Sequence, residues 1–137
     1  FKEGKYYSPG ENSFVDVRDV ADMAAQLLFS EVKKESFIIS STDSSYKNIF
    51  SEIAEKANKK GPSKEISKSF VNFIYGVESF LRVFGRKPMI TKENKKSMFN
   101  KNKFDGSKIL NNEGFKYRDI SEAIDNAVEY YKMKKLV

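Results

Sequence analysis

The sequence predicts a small, mostly helical α/β fold in one domain, with about five helices and two or three short strands. Apolar residues recur at helical spacing in five stretches, whereas apolar runs of strand length are few and scattered. At 137 residues, with 39% hydrophobic and 14% aromatic side chains, the chain can bury one core but not two ordinary ones. No internal repeat or low-complexity tract interrupts it.

Residues 1–12, punctuated by Gly4, Pro9 and Gly10, read as a loop or the end of an interrupted element. Phe14, Val15 and Val17 then read as a strand end that runs directly into a helix. Asp16 caps the first turn, and Val17, Val20, Ala21, Ala24 and Leu28 form the helical stripe. Phe37-Ile-Ile-Ser40 has the length and β-branching of a buried strand, and Ser41 to Ser45 is a loop rich in capping residues. Tyr46, Ile49, Phe50, Ile53, Ala54 and Ala57 mark one face of a second helix, stopped near Gly61-Pro62.

A short extended piece is expected around Ile66. The long helix after it carries Phe70, Phe73, Ile74, Val77, Phe80, Leu81 and Phe84, a stripe whose spacing reads as core. Gly76 in its middle implies a close neighbour, and Gly85 and Pro88 a stop. Thr91 caps a short basic helix through about Met98, and Phe104-Asp105 suggests a strand fragment. Ser107 to Glu113 reads as a short helix ended by Gly114, with Phe115 folding back onto Ile109 or Leu110. The last helix opens at Asp119, with Glu122 three residues on, and presents Ile120, Ala123, Ile124, Ala127, Val128 and Tyr131. The strands are too scattered to close a sheet among themselves, so Phe37 to Ser40 is assigned to a parallel sheet whose other strands lie upstream of residue 1.

The chain has no Cys and no His, which removes disulfides, thiolate metal sites and the commonest general base. No apolar run reaches membrane-span length and no signal peptide is evident, so a cytoplasmic protein is expected. The net charge of +6 sits in the second half: residues 61–137 hold sixteen Lys and Arg against nine Asp and Glu, residues 1–60 nine against ten. Lys dominates there without a nucleic-acid motif, and a solvated surface is the simpler reading.

Five short strings occur in a telling order: Phe14-Val-Asp-Val-Arg-Asp-Val-Ala21, Phe37-Ile-Ile-Ser40, Gly85-Arg-Lys-Pro88, Phe104-Asp-Gly-Ser-Lys108 and Asn112-Glu-Gly-Phe115. They precede an amphipathic helix ending Tyr130-Tyr-Lys132. This arrangement resembles the C-terminal part of extended short-chain dehydrogenase/reductases, the NAD-dependent epimerase/dehydratase family. The resemblance implies a substrate-binding lobe plus one or two strands of the cofactor-domain sheet, with the N-terminal Rossmann domain absent. It also implies that NAD or NADP is bound in the full-length protein and not by this fragment. The seven Gly are dispersed and make no dinucleotide fingerprint.

The family's Tyr-x-x-x-Lys pair is expected upstream; Tyr130 with Lys134 and Tyr131 with Lys135 match it literally but read as terminal-helix surface, so no catalytic residue is assigned. Family members acting on nucleotide sugars carry Arg where this chain has Glu11-Asn12-Ser13 and the Lys-rich run Lys92 to Lys103, and Lys does not replace the bidentate fork of Arg. The aromatic helix followed by Gly85-Arg-Lys-Pro88 looks more like the dihydroflavonol-reductase-like branch, which reduces carbonyls on apolar substrates. The resemblance leaves Asn12, Lys95, Met98 and Phe99 as substrate-binding candidates. Asp16 and Arg18 read as cap and surface residue, Asp105 and Lys108 as cap and solvated side chain. The expected function is thus the substrate-binding part of an NAD(P)-dependent oxidoreductase or epimerase, inactive alone. The alternative is a basic helical module binding nucleic acid or an acidic protein. The expected partners are a small-molecule substrate and the missing domain, with self-association of the fragment where its apolar surface is uncovered.

Overall fold

The structure is a computed structural model and describes residues 4–82, 85, 91–111 and 115–134. Among them run β1 (Tyr6–Tyr7), β2 (Glu11–Phe14), α1 (Val17–Leu28), β3 (Thr42–Ser45), α2 (Tyr46–Lys56), β4 (Lys64–Glu65), α3 (Lys68–Arg82), α4 (Lys92–Ser97), a 3₁₀ turn (Ser107–Asn111) and α5 (Ile120–Met133). This is the mostly helical α/β fold that the sequence predicts. No described helix is long and apolar enough to cross a membrane.

Local chemistry sets most helix starts. The side chains of Asp16, Ser45, Thr91 and Asp119 accept from the backbone N–H of Arg18, Asn48, Asn94 and Ser121, filling donors that the first helical turn leaves open. Ser107 to Asn111 tightens into a 3₁₀ turn instead of an α-helix. Gly114 and Pro88 lie outside the described residues; Gly85 has φ of 80°, the left-handed conformation that glycine adopts without strain.

The strands depart from expectation. β1 pairs in parallel with β4, and β2 pairs antiparallel with β3, giving two separate two-stranded sheets. Residues 6–7 and 42–45, read from sequence as loops, are therefore strands. They are polar, and cross-strand contacts stabilise them: Ser13 stands opposite Asp43 in the β2–β3 register and donates its hydroxyl to the Asp43 carboxylate. Phe37 to Ser40 joins no ladder among the described residues, nor does Phe104-Asp105. The alternation in the first of these survives, with Phe37 and Ile39 packed inward and Ile38 exposed, but the Ser40 N–H donates to the Tyr117 hydroxyl at 3.2 Å.

Two small cores result. α2 and α5 bury Ile49, Ala57, Ile124 and Val128, with Phe14, Ile53 and Ile120 against them, as their stripes predict. Met23, Ile109 and Phe115 form the second, with Leu27, Phe37, Ile39 and Tyr117 packed around them; Phe115 does fold back onto Ile109.

The phase of α1 is the main correction. Its inward face is Asp19, Met23 and Leu27, whereas the predicted stripe of Val17, Val20, Ala21, Ala24 and Leu28 is exposed. The reason is ionic. Asp19 is fully buried, and its carboxylate accepts from both the backbone N–H of Arg118, at 2.9 Å, and the Arg118 guanidinium. That guanidinium also reaches Asp22 at 2.7 Å. Asp16, likewise buried, is held by Arg18, which extends to Glu122 on α5 at 3.0 Å. Two Arg-centred clusters thus tie the start of α1 to the start of α5.

α3 is corrected too. Val71 is buried, but Phe70, Phe73, Val77 and Phe80 are exposed, so the stripe is not core. A Cβ on Gly76 would meet nothing within 4 Å beyond its own helix, so the expected close neighbour is absent among the described residues.

Removing one partner of a buried, hydrogen-bonded ion pair leaves the other polar group without its acceptor. Asp19→Ala should cost about 3 kcal/mol of folding stability, read by denaturant unfolding. Asp16 adds a pH signature. The hydrogen bond from Arg18 holds its carboxyl below the usual Asp range. A lowered folded pKa stabilises the native state only while the group is ionised, so this contribution is complete above about pH 4 and is lost as pH falls through the folded value. Stability measured across acid pH should fall more steeply in the native protein than in Asp16→Asn.

Candidate functional site

β2 and the end of α4 bring the four substrate-binding candidates into one neighbourhood. Asn12 sits in the middle of β2, half-buried and opposite Ser44. After α4 the chain runs alongside β2. The Gly10 N–H donates to the Met98 carbonyl, the Glu11 N–H to the Asn100 carbonyl and the Asn102 N–H to the Glu11 carbonyl, each at 3.0 Å. Lys101 forms a parallel bridge with Glu11 and a 2.7 Å ion pair with its carboxylate. Met98 therefore joins the neighbourhood through its backbone.

Lys95 and Phe99 tie it to α3. The Lys95 ammonium lies 4.9 Å from the Tyr75 ring centroid, and the Lys68 ammonium 5.7 Å from that of Phe99. Cation–π contacts at such exposed positions contribute about 0.5–1 kcal/mol each. Backbone pairing thus sets Met98 beside the start of β2, which carries Asn12, while ring contacts set Lys95 and Phe99 against α3.

Two concavities lie elsewhere. A polar one of about 510 Å³ is lined by Ser40, Asp43, Lys103, Asp105, Gly106 and Tyr117, among others. Its back wall is a close approach. The Tyr117 hydroxyl accepts from Ser40 N–H and donates to the Gly106 carbonyl at 3.0 Å, and a Cβ at Gly106 would collide with the Ser40 backbone. Asp105 accepts from the Ser107 N–H at 2.8 Å, and the Ser107 hydrogen bonds lower its pKa. It is a turn cap, as expected. Lys108 is more than a solvated side chain: it pairs with Glu35 at 2.9 Å and lies 4.7 Å from the Phe37 ring centroid. The second concavity, about 480 Å³ and apolar, runs between α2 and α5. None of the four candidates lines either one.

Sequence reading overlooked Tyr117 and Arg118, which hold Ser40, Gly106 and Asp19 together. Their only local mark is a place just before the Asp119 cap, and their partners lie 11 to 99 residues away. Arg18 is engaged by Asp16 and Glu122, and its pKa is raised first by the hydrogen bonds it donates to the Asp16 carboxylate. Tyr130 and Tyr131 are exposed on α5, with Lys134 5.9 Å from the Tyr130 ring centroid; Lys135 lies outside the described residues. No three Asp or Glu side chains among the described residues are placed to hold a metal ion.

No family model matches the chain, and no curated protein does. Among solved structures, the crystal structure of gox2253 is similar, with a TM-score of 0.71 and 22% sequence identity over 97% of this chain and 41% of that one. The likeness is one of fold. This chain therefore spans well under half the length of gox2253.

The seating of Met98 on β2 depends on Gly10, where an added Cβ would lie 2.7 Å from the Met98 carbonyl oxygen and 2.9 Å from that of Asn100. Both are backbone atoms and cannot swing aside. Gly10→Ala should cost about 1–3 kcal/mol, as overpacking does, and should speed hydrogen exchange at the Glu11 amide.

Proposed function

We propose that this chain is the substrate-binding C-terminal part of an NAD(P)-dependent oxidoreductase or epimerase of the extended short-chain dehydrogenase/reductase type, acting on a carbonyl or hydroxyl group. The observation that carries the reading is the uncovered stripe on α1. Val17, Val20, Ala21, Ala24 and Leu28 recur at helical spacing and face outward, although such a stripe ordinarily marks a helix face covered by protein. A fold that accounts for 41% of a longer chain leaves ample polypeptide to cover it.

The ordered strings from Phe14 to Phe115 supply the family. The exposure of Phe70, Phe73 and Val77 on α3 favours an apolar substrate, since these side chains are not consumed by the core. In this reading Asn12, Lys95, Met98 and Phe99 form the substrate-side rim, with Lys95 and Phe99 held by α3. No residue of this chain is assigned to the cofactor, because no glycine-rich turn joins a strand to a helix here. The nucleic-acid alternative draws less support. Lys68, Lys95 and Lys108 lie over aromatic rings, and Lys101 and Lys108 pair with carboxylates, so four of the basic half's sixteen Lys and Arg are engaged within the fold.

The reading frame encoding this chain tests the reading. Translated in full, it should carry a glycine-rich fingerprint and a Tyr-x-x-x-Lys pair ahead of Phe1, and its product should bind NAD(H) or NADP(H) in calorimetry while residues 1–137 alone should not. A full product lacking that fingerprint, or tight NAD(P)H binding by residues 1–137, overturns it.

A further inference from the structure

The groove between α2 and α5 is independent of the substrate rim, and its composition is specific. Its floor is aliphatic, built by Ile53 and Ala54 from α2 and Ile124 and Val128 from α5. Among the described residues, Lys59 and Lys60, in the segment that follows α2, are the charged side chains that line it, and no described carboxylate does. Both lysines are exposed, and among the described residues neither has a carboxylate partner. Their neighbour Lys56 is different: it is spent on Asp125 at 2.7 Å and on Ser121, and so fastens α2 to α5. The helices are thus held together without anything seated in the groove.

We propose that this groove binds a medium-chain fatty acid, with the aliphatic tail between α2 and α5 and the carboxylate at Lys59 and Lys60. The volume of about 480 Å³ suits a small molecule. A two-turn peptide helix, about 10 Å across and about 11 Å long, occupies roughly 800 Å³ and would stand largely outside it. The charge selects the head group: the exposed ammonium groups of Lys59 and Lys60, which have no carboxylate partner among the described residues, favour an anion. The tail gains from every methylene taken out of water, and among the described residues no buried side-chain nitrogen or oxygen is left without a hydrogen bond. This site does not depend on the NAD(P) reading.

The test is titration of the 137-residue chain with dodecanoate below its micelle concentration, followed by calorimetry and by displacement of a fluorescent fatty acid. Saturable 1:1 binding is expected, with dodecanol binding more weakly. Reversing both surface charges, Lys59→Glu with Lys60→Glu, should weaken dodecanoate by at least about tenfold and leave dodecanol unchanged. Ala54→Phe should abolish binding of both by filling the floor. If Ala54→Phe loses its helical circular dichroism, the lysine variant still decides, because both its positions are on the surface.

Absence of saturable binding overturns the proposal. So does equal affinity for dodecanoate and dodecanol, or an unchanged affinity in the lysine variant, either of which reduces the groove to a non-selective apolar surface. Sedimentation supplies the remaining outcome: a dimer that Ala54→Phe converts to monomer, without loss of dodecanoate binding, assigns the groove to a second copy of the chain and overturns it as well.

Discussion

Burying a carboxylate is the costliest thing this fold does, and it does so twice at the head of one helix. Asp16 and Asp19 are both removed from water within the first turn of α1. Each is tolerable only because a guanidinium reaches it with hydrogen bonds as well as charge. Arg118 comes from the segment just before α5, and Arg18 hands on to Glu122 inside α5. The pairs therefore fix where α5 begins relative to α1. The Lys56 contacts with Asp125 and Ser121 then fix α2 on α5, with the Lys56 pKa raised by the hydrogen bond to Asp125 first. Once those contacts are made, Ile49, Ile124 and Val128 meet without further adjustment.

The same ionic choice decides which surfaces remain for function. Turning Asp19 inward rotates Val17, Val20 and Leu28 outward, so a helix with a strong apolar stripe presents it to solvent. α3 does likewise with Phe70 and Phe73. Scattered exposed apolar residues need no explanation, but two helices that each expose a continuous stripe do. Under the proposed function, one stripe is a docking face for further polypeptide and the other the apolar side of a substrate space. The α2–α5 groove is a third kind of surface, concave and apolar, with Lys59 and Lys60 on its lining.

Close backbone approaches hold the irregular segments where side-chain packing is thin. At Gly10 the chain lets the Met98 and Asn100 carbonyls come within 3 Å of where a Cβ would be, and this seats the segment after α4 against β2. At Gly106 the Ser40 backbone and the Tyr117 hydroxyl close in from two directions. Phe104-Asp-Gly-Ser-Lys108 and Phe37-Ile-Ile-Ser40, two of the strings that carry the family resemblance, are in contact through this glycine.

What the sequence determined by itself was whatever one turn of chain can decide. The caps at Asp16, Thr91 and Asp119, the helices they start, and the inward faces of α2 and α5 all follow from side chains within four residues of their partners. The proposed substrate-side residues rest on resemblance alone, because nothing local in Asn12 or Lys95 distinguishes them from other polar surface. Strand pairing was not legible at all. Thr42 to Ser45 is a strand because Glu11 to Phe14 lies beside it, whereas Phe37 to Ser40 joins no ladder among the described residues and gives its Ser40 amide to a tyrosine 77 residues away. The face of α1 was likewise left to tertiary structure. Apolar periodicity weighs Asp19 as a solvent residue, and only an arginine 99 positions later makes it a core one.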